Sequence, residues 1–270
     1  SPAQSSWAPL RHPVFRALWI ATVASNVGTW MHSTAAAWLM TSLSTSTLMV
    51  ALMQTATSLP VLLLALLAGA LADIVDRRRL LIITQSWMLA AAALLGVLTL
   101  AGVMTPWLLL FLTFVLGLGT ALNTPAWQAT TPDLVPRDEM PAAVALSGVA
   151  TNIARAVGPA IGGLLVAAIS TGGVFLLDAL SYVAVVLVLR GWEKPPRDAV
   201  LPAERVMGAM RAGMRYLRHA PAVRAVLVRC GVFILGASAL WALLPVLART
   251  ALGMGAVGYG MLLGSLGVGA

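Results

Sequence analysis

The chain has 270 residues, of which 60% are hydrophobic and 10% are charged, and its mean hydropathy is +0.92. A soluble globular domain carries roughly 25% charged residues, so this composition excludes a soluble fold. The net charge of +8 comes from only 17 Lys and Arg against 9 Asp and Glu, and we expect no nucleic-acid partner. The single cysteine, Cys230, excludes an internal disulfide and a multi-cysteine metal site. We predict an all-α membrane protein that crosses the bilayer many times.

Long apolar runs predict the membrane spans. A helix needs about 20 apolar residues to cross the hydrocarbon core, and a helix satisfies its own backbone hydrogen bonds there. Seven runs meet this length: 17–40, 48–72, 80–102, 106–128, 142–168, 172–190 and 225–248. An eighth run begins near Val257 and reaches the last residue, Ala270. The first run is too long for a signal peptide and precedes further spans, so we expect it to be a true membrane helix.

The arginines predict the orientation. Alternate connections carry Arg11 and Arg16, then 77–79, then Arg137, then nine Lys and Arg from 190 to 229, which places 15 of the 17 on one side. The connections at 41–47, 102–106 and 170–173 carry no charge. Cytoplasmic loops are enriched in Lys and Arg, so we expect the N-terminus and the long connection to be cytoplasmic.

These spans divide the chain into three parts. We expect residues 1–190 to form a six-helix bundle, residues 191–221 a basic cytoplasmic linker, and residues 222–270 the start of a second, truncated bundle. Within the linker, Met207, Met210 and Met214 recur at helical spacing beside a basic stripe. This pattern predicts an amphipathic helix that lies on membrane lipids, or a solvated helix that joins two bundles. Residues 35–40 and residues 239–244 have weakly similar sequences, which favours a protein built of two similar halves.

The connection after the second span has an unusual composition. Gly69 lies near the helix end, where a small side chain permits close approach of another helix, and Asp73 follows one turn later. Arg77, Arg78 and Arg79 then anchor the cytoplasmic side. A carboxylate beside cations suits a conformational latch that forms in one state and breaks in another.

This segment resembles the loop signature of the major facilitator superfamily, Gly-x-Leu-Ala-Asp-Arg-x-Gly-Arg-Arg. Ile74 replaces the usual Arg of the signature, and Asp76 replaces the usual Gly. The resemblance implies that Gly69, Asp73 and the arginines form the conformational latch of a transporter.

A second segment, in the fifth span, resembles the antiporter motif of the same superfamily, Gly-x-x-x-Gly-Pro-x-x-Gly-Gly. Gly158, Pro159, Gly162 and Gly163 match it, while Ala154 stands where the first Gly is usual. Small residues allow close helix packing, and a proline permits a bend. The resemblance implies a gating helix; the alternative is a purely packing role.

Further segments, at 28–31, 38–40, 123–128 and 215–218, resemble the major facilitator branch that contains enterobactin exporters, secretion effectors and drug-efflux permeases. The resemblance implies a six-plus-six helix fold, here the first six helices, the seventh and the start of the eighth. It also implies a monomer in the bacterial inner membrane that exports a siderophore- or drug-like molecule by proton antiport, without a cofactor. Two features of many proton antiporters are absent, since Thr113 stands where an Arg is usual and span one has no acidic residue.

Ionisable residues within spans are candidates for coupling or for a substrate cavity, because burying a charge in lipid costs about 2.5 kcal/mol or more. Arg155 lies near the middle of span five, Asp178 is two turns from the outer end of span six, and His32 is in the outer part of span one. Arg155 either pairs with Asp178 or faces a cavity and attracts an anion. Histidine titrates near neutral pH, but a lone histidine also serves as hydrogen-bonded packing.

Uncharged polar residues within the spans predict a polar cavity. The candidates are amides: Asn26, Gln54, Gln85, Asn123, Gln128 and Asn152. Four tryptophans near span ends are typical of an interfacial aromatic belt: Trp19, Trp107, Trp127 and Trp192.

Three functions remain open from the residues alone. The first is a secondary active transporter; no Gly-x-x-x-x-Gly-Lys-Ser/Thr phosphate loop supports direct use of ATP. The second is a membrane-embedded enzyme, which the scattered positions of His12, His32 and His219 disfavour, so we expect neither catalytic residues nor a metal site. The third is a non-transporting fragment or assembly subunit.

Overall fold

The computed structural model describes residues 6–192, 215 and 219–269, and these residues form helices joined by short turns. The eight α-helices among the described residues are α1 Pro13–Leu43, α2 Thr47–Ile74, α3 Arg77–Leu100, α4 Pro106–Thr130, α5 Met140–Ile169, α6 Thr171–Gly191, α7 Pro221–Thr250 and α8 Ala256–Gly269. Short 3-10 helices lie at Ala8–Arg11, Thr131–Asp133 and Arg137–Glu139. Each predicted apolar run therefore coincides with a helix to within about four residues at either end, and the all-α prediction is confirmed.

Local sequence explains where several helices begin. The Asp76 side chain accepts a hydrogen bond from the Arg79 backbone N–H at 2.9 Å, which caps α3. Thr105 caps α4 in the same way, and Pro106 follows at the first helical position. Tight turns thus separate α2 from α3 and α3 from α4, and neighbouring helices in the chain run antiparallel.

The first six helices form one bundle. α1 packs against α5 and α6, α3 packs against α6 and α4, and α2 packs against α4. The two helices beyond the bundle dock on different sides of it, because α7 contacts α2 while α8 lies along α5. The predicted amphipathic helix at 204–218 lies outside the described residues, apart from Arg215.

The outer surface of the bundle is apolar. Leu62, Phe111 and Phe233 expose 60% or more of their surface, as expected for side chains that face lipid. Among the described residues, six helices are long and apolar enough to cross a membrane, namely α2 to α7. α1 is longer than any of them but is not in this group, and polar residues occupy its middle.

Two ends of the bundle differ in charge. The start of α1, the turn between α2 and α3, and the turn between α4 and α5 lie together at what we call the basic end. The arginines there are Arg11, Arg16, Arg77, Arg78, Arg79 and Arg137. The turns at 44–46, 101–105 and 251–255 lie at the opposite end.

Candidate functional site

Two cavities lie one after the other along α1. Cavity 1 has a volume of about 530 Å³ and is lined by the first half of α1, the second half of α4 and the first half of α5. Cavity 2 has a volume of about 380 Å³ and is lined by the second half of α1 together with α2, α7 and α8. Cavity 1 is therefore near the basic end and cavity 2 near the opposite end. Thr29 borders both of them.

The wall of cavity 1 is polar but uncharged. Hydroxyl and amide side chains from α1, α3, α4 and α5 alternate with aromatic rings, and no Lys, Arg, Asp, Glu or His contributes to the described wall. Its polar side chains are Thr22, Ser25, Asn26, Thr29, Gln85, Thr120, Asn123, Thr124, Gln128, Thr131, Ser147, Thr151 and Tyr182. Five of the six predicted amides line a cavity, since Gln54 borders cavity 2 and Asn152 borders neither.

A hydrogen-bond network fixes the amides on one side of cavity 1. Asn123 Oδ1 accepts hydrogen bonds from Thr84 Oγ1 at 3.0 Å and from Gln85 Nε2 at 3.3 Å. Gln85 Oε1 is buried and has no hydrogen-bond partner among the described residues. This network presents one free acceptor beside the cavity, and a donor group on a ligand would satisfy it.

Between the cavities lies a buried cluster of titratable side chains. His32 Nδ1 is 2.9 Å from Asp178 Oδ2, although the two atoms are not aligned for a hydrogen bond. The His32 side chain is 5% exposed and the Asp178 side chain is fully buried. The Tyr182 hydroxyl donates a hydrogen bond to Asp178 Oδ2 at 3.3 Å, and Thr29 Oγ1 lies 3.5 Å from that hydroxyl. An imidazole and a phenol hydroxyl thus both lie against the carboxyl group of Asp178.

The sequence places these groups on two helices that approach closely. An added Cβ on Gly28 would lie 2.7 Å from Asp178 Oδ1, so any larger residue at this position would displace the carboxyl group from its present place. His32 lies one turn after Gly28, and Tyr182 lies one turn after Asp178, so each pair occupies one helix face. Sequence analysis missed Tyr182, although its spacing of four residues from Asp178 was the available signal.

Arg155 takes neither of its two predicted positions. Its Nη2 donates a hydrogen bond to Asn152 Oδ1 at 2.9 Å, one turn earlier on α5, so Asp178 pairs with His32 instead. Arg155 also borders neither cavity. Its backbone lies at the crossing of α5 and α8, where Gly267 contacts the Arg155 carbonyl oxygen.

The glycines of the α5 motif bring three helices together. An added Cβ on Gly158 would lie 2.5 Å from Trp30 Cβ, and one on Gly162 would lie 2.8 Å from Met31 Cα, so both glycines face α1. Gly163 faces α8, where an added Cβ would lie 3.1 Å from Gly260 Cα. The motif therefore joins the bundle to α8 as well as to α1.

At the basic end, the arginines after α2 hold the ends of other helices. Arg77 Nη1 donates to the Ala129 carbonyl oxygen at 2.6 Å and to Asp133 Oδ2 at 3.3 Å. Arg78 donates through Nε to the Leu189 carbonyl oxygen at 2.7 Å, and through Nη2 to the next carbonyl of α6 at 2.6 Å. Cations at the C-terminal carbonyls of α4 and α6 are stabilising there.

The remaining residues of the predicted latch have fewer described contacts. Asp73 lies in the last turn of α2, and its side chain falls outside the described part of the chain. An added Cβ on Gly69 would meet no atom within 4 Å among the described residues. Among the described residues, no helix therefore packs closely against Gly69.

Aromatic and basic side chains join α1 to α7 and α8 at the opposite end. The rings of Trp30 and Trp241 lie 6.1 Å apart, and those of Trp38 and Tyr259 lie 6.0 Å apart. The Arg249 guanidinium lies over the Trp38 ring at 5.4 Å, and its Nη1 donates to the Thr41 hydroxyl at 2.8 Å. These contacts join α1 to α7 and α8 around cavity 2, whose wall includes Trp30, Trp241 and Tyr259.

Two of the four tryptophans predicted for the aromatic belt lie in the cavity wall. Trp19 and Trp127 line cavity 1, and Trp19 Nε1 donates to the Leu146 carbonyl oxygen at 2.9 Å. Trp192 is buried, whereas Trp107 is 66% exposed as a belt residue would be. Among the described residues, no group of three or more His, Cys, Asp and Glu is placed to hold a metal ion.

Comparison with known proteins identifies the family of the chain. The family model of the transmembrane secretion effectors matches residues 4–270. Among characterised relatives, the staphyloferrin A transporter of Staphylococcus aureus is 38% identical over 130 residues, which cover 48% of this chain and 33% of that protein. The enterobactin exporter of Shigella boydii is 29% identical over 245 residues, which cover 88% of this chain and 56% of that protein.

A solved structure has the same fold. It is a bacterial homologue of the human lysosomal transporter Spinster, in an inward-facing and unoccupied conformation, with a TM-score of 0.73 and 14% identity. The match covers 98% of this chain and 60% of that one. The chain thus spans about half the length of the relatives it matches, and it is a multi-pass membrane protein.

Proposed function

Since the chain belongs to the transmembrane secretion effector family of the major facilitator superfamily, we propose that it forms part of a secondary active transporter. The transporter exports a small organic molecule, siderophore-like or drug-like, in exchange for protons. It works by alternating access, in which the substrate site opens to one side of the membrane at a time. The relatives support the direction and the class of substrate, since one exports enterobactin and another transports staphyloferrin A.

The observation that carries this proposal is cavity 1. Its volume of about 530 Å³ falls within the roughly 300–1,000 Å³ of known small-molecule sites. Its aromatic rings supply apolar contact area and its amides and hydroxyls supply hydrogen bonds. Such a wall favours an organic molecule with many polar groups over a simple ion.

The contacts on either side of the cavities support a conformation that opens toward the basic end. Cavity 1 lies on that side, while the aromatic contacts of α1 with α7 and α8 lie on the other. The close approach of Gly163 and Gly260 holds α5 and α8 together in the half of the bundle that lies opposite the basic end. We propose that these contacts separate when the transporter opens outward, which gives the α5 motif its gating role.

The basic end faces the cytoplasm in this proposal. Arg77 and Arg78 hold the helix ends there, and cationic residues accumulate on the cytoplasmic side of membrane proteins. The membrane is the bacterial inner membrane, and the full protein acts as a monomer in contact with membrane lipids. Asp73, which lies in the same turn of the chain, completes a latch that stabilises one of the two conformations.

Transport into vesicles tests the proposal. Proteoliposomes carrying the full protein are given an imposed pH gradient, and the uptake of enterobactin, staphyloferrin A and a macrolide is measured separately. We expect at least one compound to accumulate, and accumulation to collapse when the gradient is removed. No accumulation of any of the three would refute export of these substrate classes, and uptake that ignores the gradient would refute proton coupling.

Two tryptophans on α4 provide a matched control for the position of the site. Trp127→Ala removes an aromatic wall of cavity 1 and should raise the KM for the transported compound. Trp107→Ala removes an exposed ring that borders neither cavity and should leave the KM unchanged. Equal KM values for both variants and the wild type would place the substrate elsewhere.

A further inference from the structure

The cluster of Asp178, His32 and Tyr182 lies where a proton would have to cross between the two cavities. Tyr182 borders cavity 1 and His32 borders cavity 2. Asp178 is in contact with both side chains and borders neither cavity, and it is fully buried. The three side chains therefore form a continuous polar connection between the two cavities.

Charge balance makes this cluster sensitive to a single proton. A carboxylate beside a neutral imidazole carries a net charge of −1, and burying an uncompensated charge costs several kcal/mol. One added proton makes the pair net neutral. The pair therefore has two states that differ in their burial cost, and a conformational change that alters the solvent around it would favour one of them.

No fixed cation compensates the pair from the helices that pack on α6. α3 has no titratable side chain between 80 and 100. α5 contributes only Arg155, whose guanidinium donates to Asn152. α1 contributes His32 itself and, nearer the basic end, Arg16, while the other charged residue of α6, Arg190, is at its last turn.

The helices that pack on α1 near His32 likewise offer no charge to it. α2 has no titratable side chain between 47 and 72, and α4 has none between 106 and 130. On α8 the titratable residue is Tyr259, whose ring stacks on Trp38. On α7, Arg249 lies over the same ring and binds Thr41, and Arg224, Arg229 and Cys230 lie in its first half, toward the basic end.

Both partners of the pair keep a free polar atom. Asp178 Oδ1 and His32 Nε2 are buried and have no hydrogen-bond partner among the described residues. An unsatisfied buried polar atom costs about 1–3 kcal/mol, so a purely structural pair would be expected to satisfy them. A group that accepts and releases a proton needs such an atom without a hydrogen-bond partner.

We propose that Asp178 and His32 together bind the transported proton, and that Tyr182 links them to cavity 1. A proton from cavity 2 adds to His32, whose imidazole passes one to the Asp178 carboxylate. After the transporter has changed conformation, the carboxyl group gives a proton to the Tyr182 oxygen, and the hydroxyl releases its own into cavity 1. Each group ends with the proton count with which it began, so the net change is one proton moved. This inference rests on the proposed function, because it assigns a site to the proton coupling proposed above.

Transport with and without a pH gradient tests the assignment in the full protein. We expect Asp178→Asn and His32→Gln to retain exchange of labelled for unlabelled compound across vesicles at equal pH, but to lose gradient-driven accumulation. One pH unit is worth about tenfold in accumulation for one coupled proton, so the expected loss is about tenfold per unit. Tyr182→Phe removes only a hydroxyl, and it should lower the ratio of gradient-driven uptake to exchange.

A second His–carboxylate pair in the same chain supplies the control. His12 Nε2 lies 3.0 Å from Glu139 Oε2 at the basic end, away from both cavities. His12→Gln and Glu139→Gln should leave the gradient dependence unchanged. Gradient-driven accumulation in Asp178→Asn equal to that of the wild type would overturn the assignment while the proposed function stands.

A spectroscopic measurement gives a readout that needs no substrate. In NMR spectra of the protein with isotope-labelled histidine, the His32 imidazole should change its protonation state within the pH range in which the protein stays folded. The pH range of that change should move in Asp178→Asn and not in Glu139→Gln. A His32 ring that keeps one protonation state throughout would overturn the assignment. Wild-type uptake that ignores the gradient would instead refute the proposed coupling, and the assignment with it.

Discussion

Replacing Gly163 by alanine should loosen the contact between α5 and α8. An added Cβ would lie 3.1 Å from Gly260 Cα and closer still to the Ala256 carbonyl oxygen. Carbon atoms in favourable contact are about 3.5–4.0 Å apart, so the two helices would have to separate by several tenths of an ångström or more. Both obstacles are backbone atoms, which no side-chain rotation removes.

The expected magnitude follows from the cost of overpacking. An extra methyl group in a tight interface costs typically about 1–3 kcal/mol. The higher helix propensity of alanine does not offset this cost, because α5 is helical whether or not α8 is in contact with it. If the contact breaks when the transporter opens outward, the open state should gain about 5- to 150-fold in relative population.

Labelling of a cysteine in cavity 2 measures that population. Thr34 is buried and borders cavity 2, so Thr34→Cys in a Cys230→Ser background gives a single reporter in the described part of the chain. A membrane-impermeant maleimide added from the opposite end should react faster in the Gly163→Ala variant by that factor. Gly231→Ala on α7 is the matched control, because an added Cβ there meets no atom within 4 Å. An unchanged labelling rate in a folded Gly163→Ala protein would refute the gating role of the α5–α8 contact.

Three further variants test other contacts. Arg78→Ala removes two hydrogen bonds to the last carbonyls of α6, so it should lower the free energy of unfolding by about 1–3 kcal/mol, measured as a lower Tm in detergent. Arg79 is exposed, and Arg79→Ala should lower the Tm less. Arg249→Ala removes the bond to Thr41 and should raise maleimide labelling of cavity 2, and an unchanged rate would show that this contact does not hold the closed end. Asn123→Leu removes the acceptor shared by two donors beside cavity 1, so it should lower the Tm and raise the KM; a change in neither would refute a role for this network.

The sequence was sufficient to predict the helices and the basic end. Burial of a backbone in lipid requires helices about 20 residues long, so the apolar runs give the spans almost directly. α1 was predicted from length and context, although its polar residues separate it from the other spans by hydropathy. Those same polar residues border the cavities. They lower the hydropathy of α1, and they also form part of the candidate site.

The pairing of side chains between helices was not available from the sequence. Sequence analysis considered Arg155 as the partner of Asp178 and treated His32 as a lone histidine, and only the packing of α6 against α1 decides that Asp178 faces His32. The spacing of residues along one helix shows which of them share a face, but it does not show which neighbouring helix packs against that face. Gly28 shows the reason: its role depends on the approach of a carboxylate from a helix that lies 150 residues later in the chain. The need to satisfy backbone hydrogen bonds in lipid therefore determines the helices, and tertiary packing determines which side chains of different helices meet.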